Sequence, residues 1–76
     1  MKEITGYWSN CDDGFGSVVD KVEIFDEDVI KACGKKAVMA WNVPQAKCIF
    51  NAILKKFGYE ITRIERWSGD RYWQHR

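Results

Sequence analysis

The sequence predicts an α+β domain: an antiparallel sheet, built from an N-terminal and a C-terminal hairpin, packed on one main helix over about 44–57, with a second short helix over about 26–33. Three observations carry this expectation. PQAKCIFNAILKKFG (44–58) repeats its apolar residues at helical spacing. The stretches on either side of it switch to β-branched and aromatic residues. Glycine-rich and Ser/Asp-rich turn signals separate those stretches.

In chain order, KEITGYWSN (2–10) sets Ile4 and Trp8 against Thr5 and Tyr7 and reads as a strand. CDDGFGS (11–17) is a connecting loop, with an Asx-type turn and glycines at positive φ. SVVDKVEIFDEDVIKACG (17–34) has two readings. As strand then helix, VVDKVEIF pairs back on the first strand, and Asp26 caps a short helix ending at Gly34. As a single helix, Val18, Val22, Phe25, Val29 and Cys33 also keep helical spacing behind Ser17. The β-branched residues concentrate before Phe25 and three acids sit at 26–28, which favours strand then helix. KKAVMAWN (35–42) reads as a short buried strand, with a helical turn as the alternative.

The main helix shows Ala46, Ile49, Phe50, Ile53, Leu54 and Phe57 as one apolar stripe, with Gln45, Lys47, Asn51 and Lys55 opposite. Pro44 suits its first turn, where a missing N–H costs nothing. Lys55 and Lys56 complement the dipole in the last turn, and Gly58 suits the left-handed residue that follows. YEITRIERW (59–67), SGD (68–70) and RYWQH (71–75) then read as strand, turn and returning strand. A Ser68-Gly69 loop sets Ile64 opposite Trp73, whereas a Gly69-Asp70 loop sets Trp67 opposite Tyr72. Local sequence does not choose between these registers, and a one-residue slip exchanges the two faces.

The totals fit one domain over 1–76, with 46% apolar residues and a net charge of +1. A chain this short buries only about 60% of its unfolded surface. Four Trp, three Tyr and four Phe supply large area per residue. The charge is asymmetric. Residues 1–30 set two lysines against eight acids, a balance of −6, and residues 31–76 set ten Lys/Arg against three acids, a balance of +7. Such a split suits either a charged partner or attraction between the halves within the fold. Three cysteines, an odd number, and no apolar leader behind Lys2-Glu3 predict reduced thiols in a cytosolic protein. The longest apolar run, AVMAW (37–41), is far shorter than a membrane span of ~18 residues.

Little in the sequence carries reaction chemistry. Cys11, Cys33, Cys48 and His75 would complete a zinc set, but structural zinc sites draw on closely paired ligands, and no two of these are close in sequence. Neither a metal nor a cofactor is expected. Asp12 and Asp13 are adjacent, not alternating as a Ca²⁺ loop requires. Gly14-x-Gly16 lacks the rest of a dinucleotide fingerprint. Cys11 with His75, steered by Asp12 or Asp13, is the single thiol–imidazole arrangement available; a non-catalytic protein is expected, with a thiol activity built on Cys11 as the alternative.

The residues that stand out are instead Arg63, Arg66, Trp67, Arg71, Tyr72 and Trp73. Arginine interleaved with aromatic rings is the composition of protein-interface hot spots. It is also the composition of surfaces on which single-stranded bases stack. A sequence pI near 7.7 lies below the ~9 usual for nucleic-acid binders. The expectation is therefore a small binding or regulatory protein with a protein partner, with Asp26, Glu27 and Asp28 as a second, acidic patch. Single-stranded nucleic acid is the rival partner. The same rings could equally be core, which a domain this small needs.

Overall fold

The computed structural model describes residues 1–12 and 14–67. Strand β1 (Lys2–Asp12) turns into β2 (Val18–Glu23) as an antiparallel hairpin, with Trp8 opposite Val22 and Asp12 opposite Val18. The connection is the Asx turn expected: the Gly14 N–H donates to Asp12 Oδ1 at 2.8 Å. Segment 17–34 is strand then helix. After β2, Asp26 caps α1 (Glu27–Cys33), accepting from the N–H groups of Asp28 and Val29 at 3.1 and 3.3 Å. Gly34 ends this helix in the left-handed conformation, where a side chain would be strained.

Next come β3 (Ala37–Ala40) and α2 (Val43–Leu54), then a 3-10 turn over Lys55–Phe57 and β4 (Tyr59–Arg66). Asn42 caps α2 by accepting from the Gln45 N–H at 2.8 Å, and Pro44 lies in the first turn. Segment 35–42 is not a fully buried strand. It lies at the sheet edge, where Val38 is buried and Met39 is exposed.

The sheet runs β3-β2-β1-β4, and its pairing is mixed. Each of the pairs β1/β2 and β2/β3 is antiparallel, whereas β4 lies parallel to β1. This corrects the expected all-antiparallel sheet. Helix α2 carries the chain back to the end of the sheet where β3 began, so β4 runs in the direction of β3 and therefore of β1. Gly58 delivers the chain there, and its carbonyl accepts from the Lys2 N–H at 2.9 Å. The returning strand expected at 71–75 lies outside the described residues.

Both helices pack on one face of the sheet. The core between them holds Ile4, Val22, Ile24, Val29, Val38, Ala46, Phe50, Leu54 and Ile61. Full burial stabilises roughly 1.5–3 kcal/mol per side chain of the larger kinds. Gly6 is buried on this face and leaves no room for a side chain, since a Cβ there would lie 3.0 Å from both Ile64 Cδ1 and Val22 Cγ1. The apolar stripe read for α2 is wider than the surface it buries. Ala46, Phe50 and Leu54 are buried, whereas Ile49 and Phe57 are exposed. Asn51, placed with the outward face in sequence, turns toward β4. Its Nδ2 donates to the Ile61 carbonyl at 3.2 Å, and its Oδ1 accepts from the Ile61 N–H at 2.7 Å.

Candidate functional site

Alternation along β1 sends Ile4, Gly6 and Trp8 to the helices and Thr5, Tyr7, Ser9 and Cys11 to the opposite face. No helix among the described residues covers that second face. Its partners follow from register: Glu23 and Lys21 of β2 beside Tyr7 and Ser9, and Glu65 of β4 on the other side of Tyr7. An irregularity between Ile4 and Thr5 skips Thr62 in the pairing, and so sets the phase of everything that follows in β4. Trp67 consequently lands on the uncovered face, and its N–H extends the ladder to the Trp8 carbonyl at 2.8 Å.

Three rings meet on this face. Ring centroids are 5.3 Å apart for Tyr7–Phe25, 4.8 Å for Phe25–Trp67 and 6.2 Å for Tyr7–Trp67. These spacings and tilts are those of favourable aromatic pairs. They also leave no gap between the rings for a ligand, so the cluster offers a surface and not a cage. Phe25 is 39% exposed and Trp67 is 37% exposed.

Three cations around the cluster are paired. Lys21 and Lys36 each lie 3.4 Å from a Glu23 carboxylate oxygen, and Arg63 lies 3.3 Å from Glu65. Lys36 also stands 5.5 Å from the centroid of Phe25. The Lys36–Glu23 pair joins the acidic and basic parts of the chain, so part of the charge split is internal attraction.

The residues singled out in sequence are dispersed. Arg63 and Trp67 share the uncovered face. Arg66 is one step out of phase with Trp67 and lies over Trp8, with its Cζ 5.3 Å from the ring centroid. Trp8, Ser9, Asn10, Arg66 and Trp67 line an open groove of about 340 Å³ at this end of the sheet. Arg71, Tyr72, Trp73 and His75 lie outside the described residues. Asp26, Glu27 and Asp28 are exposed at the start of α1. The fold sets Asp26 beside the rings, because Tyr7, Phe25, Asp26 and Glu3 help line a cleft of about 250 Å³.

Sequence reasoning did not find Tyr7, Phe25, Glu23 and Lys36. The phase of Tyr7 was legible in β1, but its meeting with Trp67 depends on the parallel pairing of β1 with β4. Cys11 also lies on this face, with its Sγ 3.6 Å from Met39 Sδ. Among the described residues no three potential metal ligands gather, and no helix is long and apolar enough to cross a membrane. Compared with protein-family models, curated proteins and solved structures, the chain matches none.

Proposed function

We propose that this chain is a small non-catalytic binding module that docks a protein partner on the sheet face that carries no helix among the described residues, at Tyr7, Phe25 and Trp67. The observation that carries this reading is a half-exposed ring cluster beside which three cations, Lys21, Lys36 and Arg63, are already engaged by carboxylates. Phosphate-backbone binding draws on free positive charge. Here Glu23 and Glu65 offset that charge at the rings, which favours a protein over a nucleic acid. The acids at 26–28 extend the patch, so the partner fits best if it presents an apolar residue flanked by lysine or arginine. Free thiols at Cys11, Cys33 and Cys48 support a reducing, cytosolic setting.

The test uses the chain as bait in extract of its native host, beside a Phe25→Ser/Trp67→Ser double variant. Oligonucleotide titrations at low and high salt, followed by tryptophan fluorescence, run in parallel. The expected result is a partner retained by the wild type, lost by the double variant at unchanged circular dichroism, and no oligonucleotide signal. Oligonucleotide binding that falls steeply with salt overturns the reading in favour of nucleic acid.

A further inference from the structure

The outer edge of β3 is a different surface from the ring cluster, and its backbone geometry is self-complementary. The Ile24 N–H donates to the Lys36 carbonyl at 3.0 Å, which marks this row as a bonded one. In an antiparallel ladder bonded and non-bonded rows alternate. The bonded rows are therefore Val22/Val38 and Asp20/Ala40, and the non-bonded rows are Glu23/Ala37 and Lys21/Met39. It follows that Ala37 and Met39 turn their N–H and C=O groups out of the sheet, away from β2. The next outward N–H, that of Trp41, is capped by Gln45 Oε1 at 3.2 Å. The edge thus offers two donors and two acceptors and stops there.

Edges that stay single are blunted by short strands, charge, proline or a bulge. The strand AVMA is short and follows Lys35 and Lys36, but it has no charged residue and no proline of its own, and its pairing with β2 is regular. Its exposed neighbours are large and apolar, with Met39 55% and Trp41 69% exposed.

We infer that β3 pairs antiparallel with β3 of a second copy of this chain, about a two-fold axis normal to the sheet at Val38. A two-fold interface opposes each residue to its mirror position. With Val38 on the axis, Ala37 faces Met39 of the second copy, and Met39 faces its Ala37. Both N–H groups of each copy then donate to both carbonyls of the other, and no outward group of the strand is left over. A register centred on Met39 instead sets Ala37 against Trp41, whose N–H Gln45 already holds. The Val38 register also sets the cation of Lys35 opposite Trp41 of the second copy, at both ends of the pair. An ammonium opposite an exposed indole is a complementary match. A second copy therefore satisfies this edge with residues that every copy carries. The contact is small, so the dimer is concentration-dependent.

Sedimentation velocity from low micromolar to submillimolar concentration reads it directly. The wild type is expected to shift from monomer to dimer mass across this range. Met39→Pro is expected to remain monomeric with an unchanged circular dichroism spectrum, because proline is tolerated where the N–H points off an edge. If Met39→Pro fails to fold, Met39→Lys carries the test, since it charges the edge without touching its backbone. A Phe25→Ser/Trp67→Ser variant should dimerise like the wild type. A wild type that stays monomeric throughout, a folded Met39→Pro or Met39→Lys that still dimerises, or loss of the dimer in the ring variant overturns the inference. The ring-cluster reading is untouched by the first two outcomes, because it rests on Tyr7, Phe25 and Trp67 and not on the outward backbone groups of β3.

Discussion

At the β4 edge the Asn51 amide pairs with both backbone groups of Ile61, whereas at the β3 edge the equivalent groups of Ala37 and Met39 face outward. The same helix serves both edges. Helix α2 crosses the sheet from β3 to β4 and reaches each side with an amide side chain: Gln45 at its start and Asn51 near its end. Asn51 lands within a strand and imitates a further β partner. Gln45 lands one residue past the end of β3, on Trp41, and leaves the strand open. The β4 edge also carries Glu60, Arg63 and Glu65 and the irregularity at Thr62, all of which discourage pairing. The difference teaches that an edge is closed by where a helix sets down a polar side chain: Met39, the nearest outward residue within β3, lies two residues from the Trp41 that Gln45 holds.

Five substitutions break or sharpen this contrast. The largest effect is expected for Val38→Pro, which removes an N–H turned inward to β2, leaves the Val22 carbonyl without its donor and gives up part of a buried side chain, and should together cost about 3 kcal/mol or more in urea unfolding. Met39→Pro, one residue away, should change stability by well under that amount. Equal losses in the two variants would contradict the assignment of inward and outward residues. Gly6→Ala probes the sheet interior, away from both edges. Its Cβ meets Ile64, Val22 and Ile61 at 3.0–3.1 Å, so overpacking should cost about 1–3 kcal/mol without altering self-association of the folded chain.

Asn51→Ala strips the β4 edge of its partner and leaves both groups of Ile61 unpaired. A loss of about 2 kcal/mol is expected, with amide hydrogen exchange at Ile61 accelerated beyond the global change. If Ile61 exchange stays at the global rate, the amide does not protect that edge. The smallest effect belongs to Gln45→Ala at the exposed Trp41 N–H, at about 0.5 kcal/mol, because water replaces the lost acceptor. Its value lies in the β3 edge, where an uncapped Trp41 N–H should strengthen self-association in sedimentation.

Much of the local structure was legible. The stripe at 46, 50 and 54, the Asp26 cap, the Gly34 stop and the turn at 11–17 each express a preference within a few residues of chain. The candidate surface was half legible. Trp67 and Arg63 were singled out and do lie on the uncovered face, but Arg66 was grouped with them although strand alternation sends it to Trp8. Helical spacing sets Asn51 opposite the apolar stripe, and nothing local says that the Ile61 N–H will come within 2.7 Å of its Oδ1.

Helical periodicity, caps and turn glycines are properties of the chain over one or two turns, and the order of strands and helices in this protein followed from them. The direction of β4, the meeting of Tyr7 and Phe25 with Trp67, and the unequal closure of the two edges arose only when distant segments packed. Strand pairing is chosen by the burial of a whole face and by the path of the connecting helix. One skipped residue, Thr62, then decides which rings reach the uncovered side.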